Sequence, residues 1–141
     1  MRNRRGHSQL FALLLLVTGL CLVSVGCESN TEGADSYWVN YVVRTEAQAS
    51  GSAVIDHVFY EDEDGSQTVA IDPPEADWSQ VAILAPGDTI YLRAEGTVDA
   101  GRLVLQIEVQ ADNGSTFVRT ANNMPTSDGP VFIEIPAETL P

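Results

Sequence analysis

From Tyr37 to Ile135 the apolar residues of this chain recur at every second position, and that period leaves few folds open. Successive side chains of a strand point to opposite faces, whereas an amphipathic helix needs apolar residues at i, i+3, i+4 and i+7. No window beyond Tyr37 sustains the helical pattern. The clearest stretch is Arg102 to Gln110, where Leu103, Leu105, Ile107 and Val109 alternate with Gln106, Glu108 and Gln110, and only Val104 breaks the polar series.

The same reading gives further strands. Tyr37, Val39, Tyr41 and Val43 share one face of a strand ending at Arg44. Ala53 to Tyr60, Ser66 to Ile71, Trp78 to Leu84 and Ile90 to Glu95 follow, then Ser115 to Thr120 and a last short strand carrying Val131, Ile133 and Ile135 before Pro136. Between them lie the turn signals Glu61-Asp62-Glu63-Asp64-Gly65, Ala85-Pro86-Gly87-Asp88 and Asp112-Asn113-Gly114, and a loop from Ala121 to Gly129. Short strands at this spacing predict an all-β domain: an antiparallel immunoglobulin-like β-sandwich of seven or eight strands, with a small β-barrel as the alternative. The domain is expected over 37–136, with 137–141 as a C-terminal tail.

The first quarter has a different grammar. Arg2, Arg4 and Arg5 precede an apolar run from Leu10 to Val25, closed by Gly26 and Cys27. A basic head, a short apolar stretch and small residues at its end predict a signal peptide over 1–26, since about 16 apolar residues fall just short of the roughly 17 to 25 of a spanning helix. Val23-Ser24-Val25-Gly26-Cys27 resembles the lipobox of bacterial lipoproteins. That resemblance implies cleavage before Cys27 and lipidation of its thiol, with Ser24 standing where Leu is usual. Residues 28–36 contain no apolar side chain larger than Ala, so 27–36 reads as the lipidated Cys and a flexible tether. The expected location is the cell envelope, anchored in the membrane through the lipid on Cys27. Glu28, in place of an inner-membrane retention Asp, favours the outer membrane.

Cleavage would leave Arg44, Arg93, Arg102 and Arg119 against all 20 acidic residues of a chain whose net charge is already −13. Such a surface repels phosphate backbones, so no nucleic-acid partner is expected. Beyond Cys27 there is no cysteine, which excludes a disulfide or thiolate metal site from the domain.

A weaker likeness concerns the domain. Val39-x-Tyr41-x-Val43, Val58-x-Tyr60-x-Asp62-x-Asp64-Gly65, Trp78-Ser79, Pro86-Gly87-Asp88, Leu105-x-Ile107-x-Val109 and Asn113-Gly114 together resemble the small periplasmic domain of the mycobacterial MmpS-type proteins. This chain departs from that pattern in having no paired cysteines there and in carrying a lipobox-like leader. The resemblance implies an accessory subunit of an envelope exporter.

Motifs for chemistry are sparse. Setting Gly65 at position 6 of a calcium loop puts Tyr60 at position 1 and Ile71 at position 12, so the segment is no EF-hand. Glu61, Asp62, Glu63 and Asp64 remain a candidate for weak cation binding. His57 is the only histidine after the leader, and there is no Gly-x-Ser-x-Gly elbow. No catalytic residue, metal ligand set or cofactor is therefore assigned, and no enzyme is expected. Trp38 and Phe132 fall out of phase with the apolar faces of their strands and form the candidate partner patch. The reading is a non-enzymatic binding or assembly module contacting an envelope protein; the alternative is a structural or protective surface lipoprotein without a specific ligand.

Overall fold

β-Branched and aromatic residues dominate the alternating stretches, and a computed structural model folds all of them as strand. It describes residues 33–123 and 129–141; the signal peptide, Cys27 and most of the expected tether lie outside the described residues. The described residues belong to one compact unit, Glu32–Pro141. Six strands follow in chain order: β1 (Tyr37–Asp62), β2 (Gly65–Glu75), β3 (Asp77–Leu84), β4 (Thr89–Ala111), β5 (Thr116–Asn122) and β6 (Gly129–Thr139). Two of the expected strand pairs are thus continuous, Tyr37–Arg44 with Ala53–Tyr60 in β1, and Ile90–Glu95 with Arg102–Gln110 in β4.

All pairings are antiparallel and belong to one sheet, with β1 and β4 side by side at its centre. The first half of β1 pairs with β3, and its second half with β2. Likewise the first half of β4 pairs with β6, and its second half with β5. The sheet curls into a half-barrel, which is the all-β class expected and fits the small-barrel alternative.

The curl originates in register shifts. Between Ala47↔Gly101 and Ser52↔Asp99, β1 spends residues 48–51 where β4 spends only Ala100, whose φ is 55°. Unequal strand lengths across a ladder bend it and increase its twist. At that corner the backbones approach more closely than a side chain allows, for a Cβ on Gly51 would lie 2.1 Å from the Asp99 carbonyl oxygen. A second shift leaves Asp56 as the extra residue between Ile55↔Gly96 and His57↔Glu95.

Curling brings the apolar faces of both halves onto one core. Val39, Tyr41 and Val43 from the first half of β1 join Ile55, Val58 and Tyr60 from the second, with Ile90, Leu92, Leu105 and Ile107 of β4. The Tyr41 and Tyr60 ring centroids are 5.4 Å apart, and Trp78 of β3 continues the series 5.3 Å from Tyr60. No disulfide is needed because burial of each large apolar side chain contributes about 1.5–3 kcal/mol. Across the seam where β5 and β6 meet without a ladder, Arg119 donates to both carboxylate oxygens of Glu138, at 2.7 and 2.6 Å.

The ends of the domain extend further than the alternation suggests. Ala34 is buried, the Asp35 amide donates to the Asp112 carboxylate, and the Asp112 amide donates to the Ser36 carbonyl. The last residues of the expected tether are therefore docked on the β4–β5 turn. At the other end Leu140 is buried and exchanges backbone hydrogen bonds with Gly87 and Asp88, so 137–141 closes the core and is no free tail. Pro136 does not stop β6, which runs on to Thr139.

Candidate functional site

Each half of the curled sheet has an outward face, and the two residues of the candidate patch lie on different ones. Trp38, 60% exposed, stands on the first half, opposite Ile83 of β3 and Gln110 of β4. Phe132, 69% exposed, stands on the second half, opposite Glu95. They do not share a surface.

Around Trp38 the outward rows read Ile83–Trp38–Gln110–Thr116 and Val81–Asn40–Glu108–Val118 across β3, β1, β4 and β5. Val81 and Ile83 are each 54% exposed, so four of the five large apolar side chains left in solvent among the described residues (Trp38, Val81, Ile83 and Val118) occupy this face. Scattered exposed apolar residues are ordinary, whereas Trp38, Val81 and Ile83 are neighbours on two adjacent strands. A concavity of about 460 Å³ runs across it, lined among others by Trp38, Asn40, Val81, Glu108 and Val118. Asn40 donates to one Glu108 carboxylate oxygen at 3.3 Å and Gln106 to the other at 2.5 Å. Val81 and Ile83 escaped the sequence reading. Their signal was the run Val81-Ala82-Ile83-Leu84, four apolar residues in a strand that can bury only every second one.

Phe132 belongs to a different construction. Arg93 lies over Phe59 and Phe132 at 5.2 and 5.3 Å from their centroids and pairs with Glu95 on its own strand. Both rings lie within cation–π distance of the guanidinium. Beside it a concavity of about 610 Å³ opens at the Asp56 bulge, lined by Asp56, His57, Asp72, Pro74, Glu95 and Phe132. Asp56 accepts a hydrogen bond from the Thr97 hydroxyl at 3.1 Å. His57 faces Glu95 on one side and Ala70 on the other.

The acidic turn uses its own carboxylates. Asp62 accepts from the Asp64 amide at 2.9 Å and from Gln67 at 3.0 Å, while Glu61 accepts from Ser66 at 2.5 Å. Among the described residues no group of three or more His, Cys, Asp or Glu side chains is arranged to hold a metal ion. No helix among them is long and apolar enough to cross a membrane. Cys27, the expected lipid-bearing residue, lies outside the described residues.

Inside the half-barrel, the hydroxyl of fully buried Tyr41 has no hydrogen-bond partner of good geometry among the described residues. Burial, then the nearby Glu61 and Asp62 charges, raises its pKa well above the ordinary tyrosine value. Tyr60 and Tyr91 shift the same way, burial being the first cause for each.

No protein-family model matches the chain, and no curated protein or solved structure is significantly similar to it, so any functional reading rests on its own residues.

Proposed function

We propose that this chain is an exported lipoprotein, anchored through Cys27, whose β-domain is a non-enzymatic binding or assembly module of the cell envelope. The observation that carries the binding role is the outward face of the first half-sheet, where Trp38, Val81, Ile83 and Val118 stand in solvent together. An aromatic anchor flanked by aliphatic side chains, with Asn40, Gln110 and Glu108 beside it to fix polar contacts, is the composition of a protein-binding patch. The leader motif supports export, and two or three acyl chains on Cys27 would hold the protein stably at a membrane, the outer one on this reading. The MmpS-type resemblance suggests an envelope transporter as the partner.

Two linked experiments test this. Intact mass and membrane fractionation of the full-length protein in a bacterial host should give Cys27 to Pro141 plus acyl chains in the membrane fraction, and Cys27→Ala should lose both. A photoreactive residue in place of Trp38 should then crosslink one discrete envelope protein, and Trp38→Ser should weaken that association by roughly tenfold or more. A soluble mature chain without lipid refutes the anchor. Crosslinking no stronger from position 38 than from Thr68, exposed on the second half of the sheet, refutes the patch.

A further inference from the structure

The half-barrel is not closed, so its outer strands have unpaired backbone edges, and proteins ordinarily defend such edges with prolines, charges or bulges. Here the defence is uneven. β2 is interrupted by Pro73 and Pro74 within a register shift, and β6 carries Pro130 and Pro136. β5 is seven residues long and is tied to β6 by the Arg119–Glu138 pair. β3 has none of these. From Trp78 to Leu84 it holds no proline and no charge, and its eight pairs with β1 run without a shift. Among the described residues β3 pairs with β1 alone.

The ladder fixes which backbone groups are open. The Thr45 amide donates to the Ala76 carbonyl at 2.8 Å, which makes 45 and 76 a hydrogen-bonded pair. In an antiparallel ladder such pairs alternate with non-bonded ones. Continuing the register, Trp78, Gln80, Ala82 and Leu84 bond to β1, and the N–H and C=O groups of Ser79, Val81 and Ile83 point to the open side. The same odd positions carry their side chains on the outward face, so the edge-facing backbone and the exposed Val81 and Ile83 side chains belong to the same residues; of these groups the Val81 carbonyl accepts from Gln80 Nε2 at 3.2 Å, an exposed contact that a paired strand would replace. Acidic residues mark both ends of the strand, Asp77 as its first residue and Asp88 in the turn after it, both exposed.

We propose that the open edge of β3 accepts an extended strand of a partner protein, apolar at alternate positions and basic at its two ends. This rests on the reading of the Trp38 face as a docking surface and specifies how the partner is held. The added backbone would bond to Ser79, Val81 and Ile83, its alternate side chains would lie beside Val81, Ile83 and Trp38, and its basic ends would meet Asp77 and Asp88. A second copy of this chain fits less well, because each copy carries a net charge of −13 and brings acidic, not basic, ends to the pairing.

The test is amide hydrogen exchange of the full-length protein with a nine-residue peptide of alternating Val and Thr and an Arg at each end. The peptide should slow exchange at Val81 and Ile83 at least tenfold, and leave Gln80 and Ala82, already bonded to β1, unchanged. The same peptide N-methylated at alternate residues should give no slowing. Val81→Pro removes one outward N–H without touching the β1 ladder and should abolish the effect, and Val81→Lys, a charge on the open edge, should weaken it if the proline variant is destabilised. Absence of slowing at millimolar peptide, equal slowing by the N-methylated peptide, or slowing at the β5 edge instead would overturn the proposal. So would concentration-dependent protection of Val81 without peptide, which would assign the edge to a second copy. If the peptide fails while crosslinking from position 38 still captures a discrete partner, strand addition is wrong and the docking face stands.

Discussion

Replacing Gly96 by Ala tests whether close backbone approach at the bulge holds the curl of the sheet. Gly96 is buried in β4, opposite Ile55, and a Cβ there would lie 2.2 Å from the Val54 carbonyl oxygen and 3.3 Å from a methyl of Leu103. The first contact is with backbone, which cannot swing away as a side-chain tip can. Restoring an ordinary contact requires β1 and β4 to part by roughly 1 Å, a large fraction of the slack in a ladder spaced about 4.8 Å. Overpacking of this kind costs about 1–3 kcal/mol, and losing one or two ladder hydrogen bonds adds about 1 kcal/mol each. The reduced freedom of the unfolded chain returns about 0.4–1 kcal/mol. The net loss is about 3 kcal/mol, which for a domain near 100 residues lowers Tm by roughly 12–24 °C. Urea and thermal unfolding followed by tryptophan fluorescence measure it. Gly33→Ala is the control, since nothing lies within 4 Å of a Cβ at that position. A loss under about 1 kcal/mol in Gly96→Ala, or an equal loss in the control, would refute the reasoning.

Tyr41→Phe removes a buried hydroxyl without a good partner, so stability at neutral pH should change by less than about 0.5 kcal/mol or rise by up to about 1 kcal/mol. Because the Tyr41 pKa is raised in the folded state, its contribution is fully present below the ordinary tyrosine value of about 10 and is lost as pH climbs above it. The Phe variant should therefore unfold at a higher alkaline pH than the wild type, and an unchanged alkaline limb would contradict the assignment. At the seam, the Arg119 guanidinium holds the Glu138 carboxyl below its usual range, so its stabilisation is present above the unfolded glutamate pKa and fades as pH falls through the lower folded value. Glu138→Gln should flatten the acid limb of a stability profile and do so less in high salt; an acid limb identical to wild type would count against a structural role for the pair.

The local rules were readable where one face of a strand is dry. Leu103, Leu105, Ile107 and Val109 alternate without error because each inward position loses free energy if it slips to water. What alternation cannot report is how far a strand runs. The joints inside β1 and β4 fall between the strands that alternation marks out, yet residues 48–51 form a bulge through which pairing continues. Gly51 and Gly101 stand there because the paired backbones come too close for a Cβ, a long-range cause with no local signature. The same holds at the ends: Leu140 looked like part of a tail because its partners, Gly87 and Asp88, lie far away in sequence. Of the candidate patch, Trp38 was visible as an out-of-phase aromatic, but its companions Val81 and Ile83 come from another strand, and only the register between β1 and β3 puts them beside it.

Tyr37, the first residue of β1, donates its hydroxyl to the Pro141 carbonyl oxygen at 2.7 Å, and so the beginning and end of the domain share one spot on its surface. Joining them would cost little chain, and opening the loop at Asp64 and Gly65 would sacrifice a single terminal pair, Asp62↔Gly65. The fold is in that sense indifferent to where it starts. A rearranged gene beginning at Gly65 should still yield the half-barrel, and the whole domain can be spliced into an exposed loop of another protein without forcing its host apart.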